Sequence, residues 1–442
     1  MQGVDTIAAL ATPCGAGAVA LVRVSGPRAV EIADQVFRGR RSLRETAAGR
    51  AVRGRIERDG AVVDEVLLTI FRGPRSYTGE DVVEISGHGG VIVAQAVLRA
   101  VFEAGARPAE PGEFTRRAFV NGKMDLTQAE AVMDLITARG EASARAAAGQ
   151  LEGRLGRAVE QLREEALTAL AHLEAFIDFP EEGIDPDSGE VLRGRLERLQ
   201  AEVTRLLATA DEGRMLREGV RLVIHGEPNV GKSSLLNLLL GYDRAMVSEI
   251  AGTTRDTIEE NMTLRGIPFR VIDTAGLRES EDPLELEGMR RTRQHLEQAD
   301  VRVRVIDATA MPAGVLADGP EITVLNKIDL LAGGAVPSGM VGLCCLDGRG
   351  LDELVAAIIE KTDLAATDRV GEVAAVNARH QHCLQNARNY LEEARRSLER
   401  GDAPELTAVE LRAAVASIGE ITGAVDTEEV LDRIFGNFCI GK

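Results

Sequence analysis

The segment Gly226-Glu-Pro-Asn-Val-Gly231-Lys232-Ser233 constrains the fold of this chain more than any other. It follows an apolar run, Arg221–His225, and leads into a leucine-rich stretch, Ser233–Leu240. That context reads as strand, phosphate loop and helix, which is what the motif requires. Glycines at both ends let backbone amides close around a triphosphate without a Cβ in the way. Lys232 neutralises the β- and γ-phosphates, the Ser233 hydroxyl is a Mg²⁺ ligand, and the helix N-terminus adds partial positive charge. Asn229, Val230, Gly231, Lys232, Ser233 and Ser234 are therefore candidate contacts to a nucleoside triphosphate. Further apolar strands, Phe269–Ile272, Val301–Ile306 and Glu321–Leu325, alternate with helical stretches, the rhythm of a doubly wound parallel sheet.

Three more motifs follow in the order such a sheet demands. Asp273-Thr274-Ala275-Gly276 ends a strand, where the carboxylate can hold Mg²⁺ through water and the glycine amide can meet the γ-phosphate. Thr254, in Gly252-Thr253-Thr254-Arg255-Asp256, supplies a second hydroxyl for Mg²⁺ once γ-phosphate is bound. Asn326-Lys327-Ile328-Asp329 follows an apolar strand, and Asp329 can accept two hydrogen bonds from guanine N1 and its exocyclic amine, which adenine does not offer. Together these motifs resemble the translation-factor type of GTPase. Leu277 stands where Ras-like enzymes place a water-orienting glutamine, so hydrolysis needs another group. Arg255, Arg278, Glu279 and Glu285 are the nearby polar candidates, and the Asn229 amide oxygen is a candidate ligand for a monovalent cation in place of an arginine finger.

The rest of the chain sets the boundaries. Its 442 residues suggest about three domains. Residues 1–118 are rich in Val, Ile, Gly and Pro, with strand-like runs Ala18–Val24, Val62–Phe71 and Val82–Ser86 and a helix Val91–Ala104, and read as α+β. From Gly112 to Phe179 there is no proline, and Leu162, Ala166, Leu170 and Leu173 recur at helical spacing, which predicts long amphipathic helix; helix resumes from Gly189 to Glu212. Helical texture returns after Ala365. The expected division is 1–118, 119–215, an inserted nucleotide domain 216–365, and 366–442. The formal charge, 52 Lys+Arg less 70 Asp+Glu, is −18, which argues against a broad basic surface for autonomous nucleic-acid binding, and Arg116-Arg117 read as solvated charges. The five cysteines have irregular spacing and no Cys-x-x-Cys, no apolar stretch reaches membrane length, and the start lacks a secretory pattern, so a cytoplasmic protein is expected. Gly15-Ala-Gly17-Ala-Val-Ala20 has dinucleotide-fingerprint spacing but runs into a strand, which rejects that reading.

Four distant segments converge on one family: Asp5-Thr-Ile-Ala-Ala-Leu-Ala-Thr-Pro13; Tyr77-Thr-Gly-Glu-Asp81 with Gly87-His-Gly-Gly90; Pro111-Gly-Glu-Phe-Thr-Arg-Arg-Ala-Phe119 through Lys123-Met-Asp-Leu126; and the closing Phe438-Cys-Ile-Gly-Lys442. With the inserted nucleotide domain, the chain resembles the MnmE (TrmE) family of tRNA-modification GTPases over essentially its whole length. The resemblance implies an α+β folate-binding and dimerising N-terminal domain, an all-α helical domain, and an inserted α/β P-loop GTPase domain. It implies a homodimer that works with the flavoprotein MnmG as a heterotetramer. The reaction adds an aminomethyl or carboxymethylaminomethyl group to C5 of the wobble uridine of certain tRNAs, with methylene-tetrahydrofolate as one-carbon source (5-formyl-tetrahydrofolate being the related ligand). GTP hydrolysis would depend on Mg²⁺ and K⁺.

Carried over to this sequence, the folate contacts fall on Arg23, Glu80, Lys123 and Lys442. The K⁺ ligands fall on Asn229, Ser248, Ile250 and Thr253, and the GTP-contacting switch segment runs through Ser248, Glu249, Ile250, Ala251, Gly252, Thr253 and Thr254. The catalytic glutamate falls on Glu285, with Arg255 as a further candidate, and Cys439 matches a near-terminal cysteine implicated in modification. The chain departs from the family at Cys344-Cys345, where Ser-Ala is usual, which predicts slightly looser guanine binding. A ribosome-assembly or signalling switch GTPase, and a folate-dependent aminomethyltransferase with a regulatory GTPase, are the competing classes.

Overall fold

The computed structural model describes residues 5–179, 189–244, 259–273, 295–310, 320–331, 336–362, 364, 376–424 and 428–442. It forms two compact units, Met1–Met133 with Ile418–Lys442, and Asp134–Ser417.

The first unit is α+β. Its sheet contains β1 (Ile7–Leu10), β2 (Val19–Ser25), β3 (Phe37–Gly39), β4 (Ala51–Arg58), β5 (Ala61–Phe71), β6 (Val82–His88) and β7 (Arg107–Pro108), in the order β3-β4-β5-β6-β2-β1-β7. Helices α1 (Ala29–Val36) and α2 (Val91–Glu103) cover one face, and Val22, Val24, Leu68, Ile70, Val83 and Ile85 alternate into that core with Ile32, Val97 and Val101. The alternation is the period-2 signature of strands with one buried face. The glycine-spaced run of residues 15–20 leads into β2 rather than a helix, as its sequence predicts.

The stretch from Gly112 to Phe179 is not one long helix. It folds as α3 (Glu113–Val120), α4 (Leu126–Thr137), α5 (Glu141–Leu151) and α6 (Arg154–Asp178). The joints fall where the chain supplies Asn121-Gly122, Gly140 and Gly153; Gly153 takes φ 80° before α6, a conformation that a side chain disfavours. Leu162, Ala166, Leu170 and Leu173 are all buried on α6, so the spacing was a sound guide to the face though not to the length.

The second unit continues with α7 (Gly189–Ala208) and α8 (Ala210–Glu218), two helices where the sequence predicts one running to Glu212. The parallel sheet that follows contains β8 (Val220–His225), β9 (Glu259–Leu264), β10 (Ile267–Asp273), β11 (Val301–Asp307), β12 (Ile322–Asn326) and β13 (Val341–Leu343), ordered β13-β12-β11-β8-β10-β9, with β9 alone antiparallel among its described pairings. Helices α9 (Lys232–Arg244) and α10 (Leu351–Glu360) follow β8 and β13. Leu222, Ile224, Val303, Val305 and Val324 form the sheet core with Leu235, Leu239, Leu354 and Ile358, and Ala142 of α5 and Leu216 of α8 join the same cluster. β12 is buried throughout and reads as a near-continuous apolar run, which makes it legible in sequence.

After the sheet the chain continues with α11 (Ala378–Arg400), α12 (Pro404–Thr422) and α13 (Glu428–Phe435), the last of which belongs to the first unit. Within the second unit α11 packs along α7, and Gln200 Nε2 donates to Glu392 Oε2 at 2.8 Å. His380 is fully buried and serves a capping box: Asn377 Oδ1 accepts its N–H at 2.9 Å, and its Nδ1 accepts the Asn377 N–H. Among the described residues, no helix is long and apolar enough to cross a membrane.

Candidate functional site

The nucleotide motifs converge because a parallel sheet brings the C-terminal ends of its strands to one edge. Gly226 follows β8, Asp273 ends β10, Asp307 ends β11 and Asn326 ends β12, and the register pairs Asp273 with Ile224 and Asp307 with Asn326. The strand order turns outward in both directions from β8, which puts the phosphate loop at the switch point where such sheets bind ligands.

Within the loop, Lys232 Nζ donates to the carbonyls of Gly226 and Glu227, each at 2.8 Å. Asn229 takes φ 64° and Gly231 takes φ 101°. Asn326 is 3% exposed and ties three segments together: its Nδ2 donates to Val230 O at 2.8 Å, and its Oδ1 accepts the Cys345 N–H at 3.4 Å. Lys327 Nζ bridges Asn229 O at 3.0 Å and Asp307 Oδ2 at 2.6 Å. Lys327, with help from Thr309, holds the Asp307 carboxyl down to about 2. Asp307 was not a sequence candidate; its signal was a carboxylate at the C-terminal end of a parallel strand. Asp329 is exposed beside this framework. Cys344 is buried, and burial, with Cys344 next to it, pushes the Cys345 thiol up to about 11, so the Cys345 side chain stays neutral.

A methyl group at Gly231 would sit 2.1 Å from Asn326 Nδ2. Gly231→Ala is therefore expected to break the Asn326–Val230 bond, to cost about 1–3 kcal/mol of stability, and to weaken GDP binding. Thermal unfolding and GDP titration check this; an unchanged melting temperature and affinity would contradict it.

The remaining nucleotide-site candidates Ser248, Glu249, Ile250, Ala251, Gly252, Thr253, Thr254, Arg255, Thr274, Ala275, Gly276 and Glu285 lie outside the described residues, as do Leu277, Arg278 and Glu279.

In the first unit, the four folate candidates gather around β2, α3 and the C-terminal tail. Arg23 on β2 faces its register partner Glu84 on β6, with Nε and Nη2 donating to Glu84 Oε1 at 3.0 and 2.9 Å. Its Nη1 donates to Gly441 O at 3.4 Å, and the guanidinium lies 5.4 Å from the Tyr77 ring centre and 5.7 Å from that of Phe114. The tail is fixed at the start of α3, where the Phe114 N–H donates to Lys442 O at 3.2 Å, and Gly441 runs so close to β1 that an added Cβ would be 2.3 Å from Leu10 O. Cys439 is exposed. Lys123 Nζ donates to Pro74 O at 2.9 Å, and its stem passes the turn at Gly79.

Glu80 accepts from Ser25 Oγ at 2.8 Å and from Arg117 Nη1 at 3.2 Å. Arg117, expected from sequence to be a solvated charge, instead belongs to a buried network: its side chain is 10% exposed and also donates to Asp5 Oδ1 at 2.8 Å and Glu113 Oε1 at 2.9 Å, while Arg107 holds the same Asp5 and Glu113. Burial alone would raise the Glu113 carboxyl, but hydrogen bonds from Arg107, the Glu110 N–H and Arg117 outweigh it and hold it below 4.5. A depressed carboxyl contributes stability that is present above its unfolded value and lost as pH falls through the folded one. Stability of the chain is therefore expected to drop on acidification below pH 4.5, and Glu113→Gln to flatten that drop while lowering stability at pH 7. Urea unfolding at pH 7, 4.5 and 3 checks this; parallel pH profiles would contradict it.

Comparison with known proteins places these geometries. Residues 6–123 match the family described as GTP-binding protein TrmE N-terminus, and residues 126–439 match the MnmE helical domain. Over 451 aligned residues the chain is 49% identical to the tRNA modification GTPase MnmE of Akkermansia muciniphila, with 99% of each chain covered. It is 45% identical over 451 residues to the protein of the same name from Opitutus terrae, again with 99% of each covered. Among solved structures, a variant of Aquifex aeolicus Era bound to GDP.AlF4- aligns at 33% identity over 32% of this chain and 56% of that one, with a TM-score of 0.25.

Proposed function

The chain belongs to the MnmE family of tRNA modification GTPases, and on that premise we propose that it is a K⁺-dependent GTP hydrolase that helps build an aminomethyl or carboxymethylaminomethyl group on C5 of the wobble uridine of certain tRNAs. In this reading it acts in the cytoplasm as a homodimer joined through the N-terminal domain and works with MnmG, in a heterotetramer. We take the division 1–118, 119–215, 216–365 and 366–442 as its domain plan.

The observation that carries the reading is full-length identity of 49% to a protein of that name, joined to the convergence of Lys232, Asn326 and Lys327 at one sheet edge. The phosphate loop fits a triphosphate with Mg²⁺: Gly226 and Gly231 let it pack tightly against Val305 and Asn326, and the Ser233 hydroxyl lies in the first turn of α9. Ser233 and Thr254 would hold Mg²⁺, and Asn229, Ser248, Ile250 and Thr253 would hold K⁺. When bound, these cations neutralise charge that develops between the β- and γ-phosphates. Lys232 holds the phosphates, Asn326 fixes the loop that cradles them, and Asp329 reads guanine. Glu285 orients the attacking water in place of a glutamine at Leu277, and Arg255 is a second candidate.

Arg23, Glu80, Lys123 and Lys442 fit a tetrahydrofolate, which carries carboxylates, a ring carbonyl and ring amines. When bound it supplies the one-carbon unit. Arg23 and the two lysines bind its anionic and carbonyl groups, Glu80 accepts from its amines, and Tyr77 and Phe114 give Arg23 an apolar backing. Cys439 is exposed in the same unit and is the candidate thiol.

GTP turnover is expected to be at least tenfold faster in KCl than in NaCl, and Glu285→Ala to lower it by about 10²-fold, within the range for a group acting on the attacking water. Equal rates in both salts, or near-normal turnover of the variant, would remove those roles. The reading as a whole is tested by combining the chain with MnmG, methylene-tetrahydrofolate, GTP, KCl, an amine donor and unmodified tRNA, and measuring the modified uridine.

A further inference from the structure

The arginines of the helices stand beside glutamates one turn away, as Arg163 with Glu160 at 3.1 Å, Arg205 with Glu202 at 2.5 Å and Arg395 with Glu392 at 2.9 Å. Residues 38–58 depart from that arrangement. They hold eight arginines and two glutamates, an excess of six positive charges in a chain whose net charge is −18. The segment lies in the first unit, where β3 is the outermost strand of the sheet and β4 its neighbour. Glu57 and Glu65 take up Arg38, Arg53 and Arg55, and Glu103 takes up Arg58. Arg40, Arg41, Arg44 and Arg50 are exposed and form no ion pair among the described residues. Glu31, whose charge reaches Arg44, is itself bonded to Arg28 at 3.0 Å. The backbone that carries these arginines is tied down. Asp34 accepts the Leu43 N–H at 2.7 Å and the Ser42 hydroxyl at 3.0 Å, and the Gly49 N–H donates to Ile70 O at 2.7 Å.

That last bond sets Arg50 beside the end of β5, and positive charge continues from there to the folate candidates. Arg75, exposed and also without an ion pair among the described residues, donates its backbone N–H to Arg72 O at 2.9 Å. The carbonyl of the adjoining Pro74 accepts Lys123 Nζ at 2.9 Å. A line of cations therefore runs from the β3 edge to Lys123 within one unit.

We propose that Arg40, Arg41, Arg44, Arg50 and Arg75 form a docking track for the phosphate backbone of the substrate tRNA and lead it toward Lys123; the choice of RNA rests on the function proposed above. Each guanidinium presents a planar fork of donors that matches the oxygens of a phosphate. No protein ion pair has to break when these five take one up. The acidic balance of the rest of the chain repels RNA, which confines the polyanion to this track and keeps the affinity modest and salt-dependent. An acidic protein surface would satisfy the same charges, but it gives no reason for the line to end at a folate candidate.

The test measures binding of a fluorescein-labelled, unmodified tRNA to the full chain, alone and with MnmG, across a KCl series. One variant replaces Arg40, Arg41, Arg44 and Arg50 together by alanine, and a second replaces the same four by lysine. The alanine variant is expected to bind about 10²-fold more weakly at low salt. Its slope of log affinity against log salt should be shallower by about 3, the loss of four phosphate contacts on a single strand. The lysine variant keeps the charges and is expected to stay within about threefold of the wild type. Both variants should melt and turn over GTP as the wild type does, which checks folding. Wild-type affinity and salt slope in the alanine variant overturn the proposal. So does a loss of MnmG association with tRNA affinity unchanged, which would assign the track to an acidic protein surface. A wild-type chain that binds no tRNA, alone or with MnmG, fails the underlying function and the track with it. Equal binding by wild type and variant fails the track alone, so the two failures are distinguished.

Discussion

Replacing Lys232 by alanine is expected to lower GTP turnover by about 10²–10³-fold, the effect of removing one preorganised charge from a developing anion. Lys232 Nζ reaches two loop carbonyls at 2.8 Å, so the ammonium is already held over the phosphate loop and little reorganisation accompanies binding. The loop itself does not depend on this side chain, because Asn326 secures Val230 from the other side at 2.8 Å. The Lys232→Ala chain should therefore melt within a few degrees of the wild type. Steady-state turnover and a melting curve, measured together, check both halves. A variant with more than a tenth of normal turnover would contradict the assignment.

The second large effect is expected at Asp329. This exposed carboxylate follows Asn326-Lys327, whose side chains are committed to Val230, Cys345, Asn229 and Asp307, so base recognition is left to Asp329. Two hydrogen bonds from guanine to a carboxylate contribute about 1.5–3 kcal/mol each. Asp329→Asn is expected to weaken GTP binding by about 10²-fold or more on that scale. The same variant is expected to gain affinity for xanthosine triphosphate, whose C2 carbonyl accepts from the new amide where guanine would have donated. Competition of both nucleotides against a fluorescent GDP measures the exchange. Unchanged preference for guanine would contradict the role given to Asp329.

The nucleotide site was legible because its chemistry is local. Gly226 to Ser233 carry the loop and the helix start directly after β8, and the parallel sheet sets the ends of β10 and β11 beside β8 and the end of β12 beside β11. Asp307 escaped because its partner Lys327 lies twenty residues on, just past the end of the next strand. In the first unit the relevant pairings are far apart in sequence, such as Asp5 with Arg107 and Arg23 with Gly441. No spacing rule signals them, so Arg117, buried in the Asp5–Glu113–Glu80 network, looked like a solvated charge. The helices from Gly112 to Phe179 show the opposite failure. A uniformly Ala-, Leu-, Glu- and Arg-rich composition gives helix propensity everywhere, and the glycine joints at 122, 140 and 153 are weak punctuation against it. The C-terminal Cys-Ile-Gly-Lys was legible as a motif with no packing reason of its own. In the structure the reason is its contact with β1 and the start of α3.

On the proposed function, GTP hydrolysis by this chain supports modification of wobble uridines. Nucleoside analysis of tRNA from cells lacking the protein, complemented with either the wild-type chain or Lys232→Ala, tests it most directly. Loss of the C5-modified uridine in the deletion, recovery with the wild type, and no recovery with Lys232→Ala are expected. Wobble uridines that remain fully modified in the deletion would contradict it.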